Sequence, residues 1–364
     1  MKKYTKAELC LIWLDGFLGL EYKHKCELYK YIKDKTDIRL VIENAKDYIQ
    51  SSIGEKEYLT LKNSATPEYL KSLLEGLYNR EIIAVTIYSE EYPDCLKQAP
   101  CAPLVLYTKG DISLLKGNNF AIVGSRRSLP TSIKIAENFT EELVDAGFIP
   151  VTGIAEGVDS AVIRTALAKK AKVISVLAGG FDNVYPKSNL QLVKEVMSNG
   201  LVICEYPPET VPKPFHFPVR NRIIAGLARG TLVVSGALKS GTLYTAEYAE
   251  EMSRDLFCIP YTPGVESGAI CNELIKRGAH LVDSPKDILE FYGVERKTQK
   301  IELTLEQKQI IKALKDGETH VEKIAEKVGK RTFEIMPILS ILEIARIVVK
   351  SGNVYGLTRN DLED

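Results

Sequence analysis

The sequence has few of the residues that build metal centres. It contains four histidines and seven cysteines, and no two cysteines form a C-x-x-C pair. Neither set has the spacing of zinc ligands, so we expect no structural metal. An odd number of scattered cysteines is typical of the reducing cytoplasm, where we expect this protein. The cysteines are Cys10, Cys26, Cys95, Cys101, Cys204, Cys258 and Cys271, and the histidines are His24, His216, His280 and His320.

Long apolar runs and an excess of either charge are also missing. No run reaches transmembrane length, so we expect no membrane association. Glu8 and Asp15 interrupt the apolar start of the chain, which argues against a signal peptide. Basic and acidic side chains number 48 each, so overall charge predicts no partner. A length of 364 residues with 45% hydrophobic content indicates a soluble globular protein of two or three domains.

Acidic residues are absent from two segments that do contain bases, residues 112–136 and residues 210–246. In a neutral chain, two such segments predict one electropositive surface. The simpler alternative is that the bases only solvate helix surfaces. The bases are Lys116, Arg126, Arg127 and Lys134 in the first segment, and Lys213, Arg220, Arg222, Arg229 and Lys239 in the second.

The apolar pattern divides the chain into three regions. Residues 1–80 predict short helices, either a module of the SAM or helix-hairpin-helix kind or a generic helical cap. Residues 81–293 alternate apolar strands with helices, which predicts an α/β, Rossmann-like, doubly wound and mostly parallel sheet. Such sheets bind ligands at the carboxyl ends of their strands. After a polar linker, residues 303–364 predict three helices and a hairpin, the outline of a winged-helix domain.

Within the central region, each predicted element has definite bounds. Strands are predicted at residues 120–123, 149–152, 172–177, 201–204, 231–235 and 256–259, and helices at residues 131–146, 158–169, 189–198, 221–228 and 242–252.

Four loops that follow predicted strands carry glycine beside hydroxyl or cationic side chains. Glycine allows close approach of backbone N–H groups to a ligand, and helix N-termini and guanidinium groups favour anions. Arg220-Asn221-Arg222 is expected at a loop-to-helix junction, with no carboxylate nearby. The predicted phosphate- or DNA-binding residues are Gly124, Ser125, Arg126, Gly157, Lys187, Arg220, Asn221, Arg222, Ser240, Gly241 and Thr242.

The features of an enzyme are not found in the same loops. The first strand is followed by one glycine instead of G-x-G-x-x-G, which disfavours NAD, and we expect no cofactor. No Ser/His/Asp or Cys/His set lies at the strand ends, so we expect no catalytic residues. His216 stands alone and is expected to be a hydrogen-bonded loop residue.

Five motifs follow one another along the central region. They are Ile122-Val123-Gly124-Ser125-Arg126, Gly153-Ile154-Ala155-x-Gly157-Val158-Asp159, Gly179-Gly180-x-Asp182-x-x-Tyr185-Pro186, Phe217-Pro218-x-Arg220-Asn221-Arg222-Ile223-Ile224-Ala225-Gly226 and Ser240-Gly241-Thr242. Their order and spacing, from about residue 88 to residue 291, resemble the DprA/Smf DNA-processing family. The resemblance implies a protein that binds single-stranded DNA, protects incoming DNA, dimerises through its Rossmann-like domain and loads RecA recombinase in natural transformation; it also implies single-strand-binding protein as a further partner.

The chain departs from the family pattern at several positions. Thr131-Ser132 stands in place of a Tyr-Gly pair, Ile163 in place of a histidine, and Ser235 in place of an acidic residue. These departures concern the finer chemistry of the pocket and leave the cationic residues in place.

Two other functions are compatible with parts of the pattern. One is a nucleotide phosphoribohydrolase of the lysine-decarboxylase-like Rossmann family, which needs a glutamate shortly after its Gly-Thr turn. Here Glu247 follows Gly241-Thr242 too late along the helix to face a ligand at the turn. The other is a non-catalytic interaction scaffold.

Overall fold

A computed structural model describes residues 2–17, 20–32, 37–294, 303–315, 317, 319–344 and 347–357. The chain divides between residues 297 and 298 into two compact units. Each unit has its own cluster of buried apolar side chains. In the described part of the chain, no helix is long and apolar enough to cross a membrane.

Nine strands among the described residues of the first unit form one sheet, in the order β1-β2-β6-β5-β4-β3-β7-β8-β9. The strands β6, β5, β4, β3, β7, β8 and β9 run parallel to one another. At one edge of the sheet, β2 runs antiparallel to both of its neighbours, β6 and β1. The predicted Rossmann-like, mostly parallel sheet is confirmed. The strands are β1 (Ile83–Thr86), β2 (Val105–Gly110), β3 (Asn119–Val123), β4 (Ile149–Thr152), β5 (Ile174–Val176), β6 (Leu201–Cys204), β7 (Gly230–Val233), β8 (Asp255–Cys258) and β9 (His280–Leu281).

The winding of the sheet reverses beside β3. From β3 the chain builds β4, β5 and β6 on one side, and then crosses to place β7 on the other side of β3. Loops leave β3 and β7 in opposite directions at such a switch point, which opens a crevice beyond their carboxyl ends.

Alternating side chains of β3 pack against helices on the two faces of the sheet. Phe120 and Ile122 belong to a buried cluster with α8 and α9, whereas Ala121 and Val123 belong to one with α11 and α12. Burial on both faces explains why the strand is a continuous apolar run. The helices of this unit are α1 (Lys6–Asp15), α2 (Tyr22–Tyr29), α3 (Ile38–Asn44), α4 (Lys46–Tyr48), α5 (Glu55–Ser64), α6 (Pro67–Asn79), α7 (Asp94–Lys97), α8 (Pro130–Asp145), α9 (Val158–Ala168), α10 (Leu190–Asn199), α11 (His216–Leu227), α12 (Thr242–Glu251), α13 (Ala269–Lys276) and α14 (Pro285–Phe291).

Helix α11 begins at His216, five residues before the predicted start at residue 221. Pro218 therefore lies in the first turn of the helix. Proline is tolerated there because the first N–H groups of a helix have no intrahelical acceptor. This earlier start places Arg220, Asn221 and Arg222 inside the helix.

The N-terminal helices and the sheet share one apolar core. Trp13 and Leu61 of these helices belong to the same buried cluster as Val105 of β2 and Val193 of α10. Trp13 also donates a hydrogen bond from Nε1 to Ser64 Oγ at 3.0 Å. The helices before residue 80 therefore pack as part of the first unit.

The second unit contains three helices and a small antiparallel sheet in its described residues. Its strands lie in the order β10-β12-β11. Ile310, Ile324, Leu339 and Tyr355 are buried in its core. The elements are α15 (Leu305–Leu314), β10 (Thr319–His320), α16 (Val321–Val328), α17 (Thr332–Ile344), β11 (Val348–Ser351) and β12 (Val354–Leu357).

Candidate anion-binding site at the strand switch point

A cavity of about 790 Å³ lies beyond the carboxyl ends of β3 and β4, beside the start of α12. Its walls come from the loop after β3, from α11 with the loop before it, and from the segment that leads into α12. The predicted residues that line it are Gly124, Ser125, Arg126, Arg220, Asn221, Ser240, Gly241 and Thr242.

Two glycines allow the loop after β3 to pack closely against α9. A Cβ atom at Gly124 would lie 2.6 Å from Val158 Cγ2. Gly157 has φ +79°, and a Cβ atom there would lie 2.4 Å from the backbone oxygen of Ser125. Gly157 does not line the cavity; it packs against the backbone of Ser125 and Arg126.

Serine hydroxyls hold the same loop in place. Ser235 Oγ accepts a hydrogen bond from the Ser125 N–H at 3.2 Å, and Ser128 Oγ donates to the Ser125 carbonyl at 2.8 Å. Ser235 thus fixes the loop at a position where an acidic residue is usual in the family. Arg126 is exposed, and its Cζ lies 5.0 Å from the centre of the Phe217 ring. This guanidinium is therefore presented at the mouth of the cavity.

Arg220 lies in the cavity wall, near the carboxylate of Asp159. Its guanidinium donates to the Val176 carbonyl, and its Nε donates to Asn221 Oδ1 at 3.1 Å. Burial lowers the pKa of Arg220 to about 10, so it stays protonated at neutral pH. A Cβ atom at Gly153 would lie 2.4 Å from Asp159 Oδ2 and 2.6 Å from Arg220 Nη1, so both groups meet at this glycine.

Asp159 is the ionisable residue of the site whose role the sequence did not reveal. In the sequence it was noted only as the last residue of the motif that begins at Gly153, but it lines the cavity, is 7% exposed and accepts a hydrogen bond from the Ala155 N–H at 3.2 Å. Burial raises its pKa, and the nearby Arg220 opposes that rise. Its place in the first turn of α9, two residues after Gly157, was the available signal.

The start of α12 contributes backbone donors to the cavity. Ser240, Gly241 and Thr242 line it, and the N-cap residue Gly241 provides no side-chain cap. Uncapped N–H groups and the helix dipole favour an anion at this end. Asn221 Nδ2 donates to the Gly241 carbonyl at 3.1 Å and so ties α11 to this turn.

Arg222 and Lys187 were predicted in the site, but the structure places both outside the cavity lining. Successive residues of a helix are about 100° apart, so Arg220 and Arg222 point to nearly opposite sides of α11. Arg222 is 3% exposed and forms a buried ion pair with Glu205. Lys187 is exposed in a short 3-10 turn beyond Tyr185, which does line the cavity. The prediction that no carboxylate lies near the two arginines is therefore wrong.

Three other residues singled out in the sequence have structural roles. His216 is the first residue of α11; its Nδ1 accepts from the Lys213 N–H at 3.3 Å, and its ring stacks on Tyr206. Ser132 and the Tyr261 hydroxyl are hydrogen-bonded at 2.9 Å, and Ile163 is fully buried in the core.

The strand order and the cavity define a class of protein. A Rossmann-like, mostly parallel sheet with a cavity at its switch point belongs to the open α/β folds, which bind ligands at that position. Within that class, the chain belongs to the DNA recombination-mediator protein A family, because the model of that family matches residues 83–293.

Relatives and solved structures of the family resemble the chain over most of their own length. The DNA processing protein DprA of Bacillus subtilis is 38% identical over 236 residues, which cover 63% of this chain and 78% of that protein. DprA of Streptococcus pneumoniae is 40% identical over 206 residues, 56% of this chain and 72% of that protein.

Two solved structures of the family match the fold. The X-ray structure of Streptococcus pneumoniae DprA has a TM-score of 0.68 at 30% identity, and covers 79% of this chain and 98% of that chain. The structure of Helicobacter pylori DprA, described for its single-stranded DNA binding mode, has a TM-score of 0.53 at 28% identity, and covers 58% of this chain and 95% of that chain.

Proposed function

We propose that this chain binds single-stranded DNA in the cavity at the switch point and acts as a recombination mediator. The observation that carries the proposal is that Arg126, Arg220 and the uncapped start of α12 face one cavity. Two guanidinium groups and a helix N-terminus suit the phosphates of a nucleic acid backbone.

The other walls of the cavity suit a single strand better than a duplex. Pro212, Pro214 and the rings of Phe217 and Tyr185 also line it, with the Phe217 ring beside Arg126. Single-strand binders combine a cationic groove with aromatic surfaces on which unpaired bases stack. The single-stranded DNA binding mode of the Helicobacter pylori relative supports the same assignment.

The mediator role is proposed to proceed without catalysis. Within the described residues, Asp159 is the one carboxylate that lines the cavity. It lies near Arg220, and both side chains are beside Gly153. Glu247, the acid that a phosphoribohydrolase would need, is not among the lining residues. In this proposal the protein works as a homodimer, protects the strand and loads a RecA-type recombinase on it, with single-strand-binding protein as a further partner.

The test of this proposal is fluorescence anisotropy of a labelled poly-dT oligonucleotide at low and moderate salt. We expect tight binding that weakens steeply with salt, because displaced counterions drive the association. An unlabelled duplex of equal length should compete poorly. No binding at low salt would reject the proposal, and nucleotide-hydrolysis assays would then be the next step.

The affinity for single-stranded DNA is expected to rise as the pH is lowered towards the pKa of Asp159. Burial raises the pKa of Asp159 above its ordinary value of 3.8. As the pH falls through this raised pKa, the Asp159 carboxylate is neutralised. Its negative charge then no longer offsets the positive charge of Arg220, and Arg220 attracts a phosphate more strongly. Asp159→Asn should bind more tightly than the wild type at neutral pH and should show a flatter pH profile. An equally steep profile in the variant would contradict this assignment.

Removal of residues 303–364 is expected to leave much of the affinity for single-stranded DNA. We infer that this segment is a winged-helix module, since its described part has three helices and a small sheet. Every residue that lines the cavity belongs to the first unit. The same anisotropy titration on the truncated chain checks this, and complete loss of binding would move the site to the second unit.

A further inference from the structure

A buried ionic cluster lies on the far side of α11 from the cavity. Arg222 and Glu205 form an ion pair in which both side chains are almost fully buried. The ring of Tyr22, from α2, lies 5.6 Å from Arg222 Cζ. The Tyr22 hydroxyl lies within hydrogen-bond distance of the backbone oxygens of Cys101 and Ala102 in the segment before β2, and its one hydrogen can be donated to either. Tyr22 therefore bridges the N-terminal helices, α11 and this segment.

A second ion pair adjoins the first. Lys25, one turn after Tyr22 on α2, contacts Asp15 Oδ1 at 3.0 Å, and both side chains are buried. Asp15 and Lys25 both act electrostatically on Glu205, the first raising its pKa and the second lowering it. The N-terminal helices thus supply part of the charge balance around the Arg222–Glu205 pair.

The cluster contains several polar atoms without a hydrogen bond. Within the described residues, Asp15 Oδ2, Glu205 Oε2 and Arg222 Nη1 are buried and unpaired. A buried polar network that is only partly satisfied is sensitive to the loss of any member. The aromatic face of Tyr22 is therefore an important remaining contact for the Arg222 guanidinium.

The position of the cluster links it to the cavity. Arg222 directly follows Arg220 and Asn221, which line the cavity from the other side of the same helix. Helices move as rigid bodies when their packing changes, so a shift of Arg222 would also shift Arg220. The N-terminal helices contact α11 at Arg222, two residues after Arg220, so their packing affects how α11 presents Arg220 to the cavity.

We propose that Tyr22 and Arg222 are positioning residues, through which the N-terminal helices hold α11 so that Arg220 and Asn221 face the bound strand. This inference rests on the proposed single-stranded DNA binding for its functional consequence. It makes the helices before residue 80 part of the binding apparatus, without direct contact between Tyr22 and DNA.

The test compares Tyr22→Ala, Tyr22→Leu and Tyr22→Phe with the wild type in the full chain. We expect Tyr22→Ala to weaken binding of poly-dT about tenfold, and Tyr22→Phe, which keeps the ring over Arg222, to stay within about threefold. The slope of log affinity against log salt should fall by about one in Tyr22→Ala, as if one phosphate contact were lost. A residue that only stabilises the fold would not change this slope. If Tyr22→Ala does not fold, Tyr22→Leu replaces it in the same measurements.

Tyr69→Ala is the matched control. Tyr69 is also a half-buried aromatic residue of the N-terminal helices, but it packs on Phe17 at 6.0 Å instead of on α11. Its replacement should leave affinity and salt slope unchanged. An equal loss of affinity in Tyr69→Ala and Tyr22→Ala would overturn the inference, as would wild-type affinity in Tyr22→Ala.

Hydrogen–deuterium exchange of α11 separates this inference from the proposed function. In the absence of DNA, exchange across residues 216–227 should be faster in Tyr22→Ala than in the wild type or in Tyr69→Ala. Failure of the wild type to bind poly-dT would reject the proposed function alone, while the exchange result would still decide on positioning. Unchanged exchange in α11 would overturn the inference even if DNA binding were established.

Discussion

Arg126→Ala is expected to weaken the binding of single-stranded DNA by about ten- to a hundredfold, the range for loss of a charged hydrogen bond to a phosphate. Arg126 is exposed at the mouth of the cavity, and the salt bridges found among the described residues do not include it. Its guanidinium is therefore available to a phosphate, and the fold does not depend on it. Anisotropy titrations at several salt concentrations measure both the affinity and a salt slope that should fall by about one.

Arg164→Ala is the control for this prediction. Arg164 is an exposed arginine of α9 that does not line the cavity. Its loss removes the same charge from the protein, so any long-range effect of net charge appears in both variants. Equal affinities for Arg126→Ala and Arg164→Ala would exclude the cavity as the binding site.

Arg222→Ala is expected to be among the most destabilising substitutions in the first unit, by about 3–5 kcal/mol in the free energy of unfolding. The substitution leaves Glu205 buried without a cationic partner, because the two side chains are 3% and 6% exposed. An uncompensated buried charge costs much more than the pair contributes when intact. Urea denaturation followed by circular dichroism measures the change.

Two further variants bracket this expectation. Arg80 forms ion pairs with Asp182 and Glu209 near the surface, so Arg80→Ala should cost no more than about 1 kcal/mol. The double variant Glu205→Leu with Arg222→Met removes both buried charges and should recover much of the stability that Arg222→Ala loses. If Arg222→Ala were no more destabilising than Arg80→Ala, the pair could not be a buried one.

The sequence predicted the parallel sheet well because its strands are short, continuous apolar runs. β4 and β6 have the predicted bounds, and the loop residues after β3 lie at the cavity as expected. β1, β2 and β9 were not predicted. β1 and β9 have four and two residues at the sheet edges, which carry little apolar pattern, and β2 has the polar residues Thr108 and Lys109 near its end. The shared core of the N-terminal helices and the sheet could not be predicted either, because it depends on contacts between distant parts of the chain.

The candidate site was predicted in part for a related reason. The position of the glycine and serine loops could be predicted because their residue types favour turns, and turns depend on local sequence. The burial of Arg222 depends on its pairing with Glu205, a residue 17 positions earlier in the chain, and the sequence carries no signal for that pairing. Asp159 and Arg220, which both lie beside Gly153, are 61 positions apart in the chain, so no local pattern reveals that they are near each other.

The proline-rich wall of the cavity has a consequence for how a strand could move. Pro212, Pro214 and Pro218 have no backbone N–H, so these three residues offer no such donors to base edges. A strand held by phosphate and ring contacts could advance one nucleotide at a time without breaking base-specific hydrogen bonds at these prolines. One-dimensional diffusion along the strand would then be fast at every sequence, and its end could be reached without dissociation.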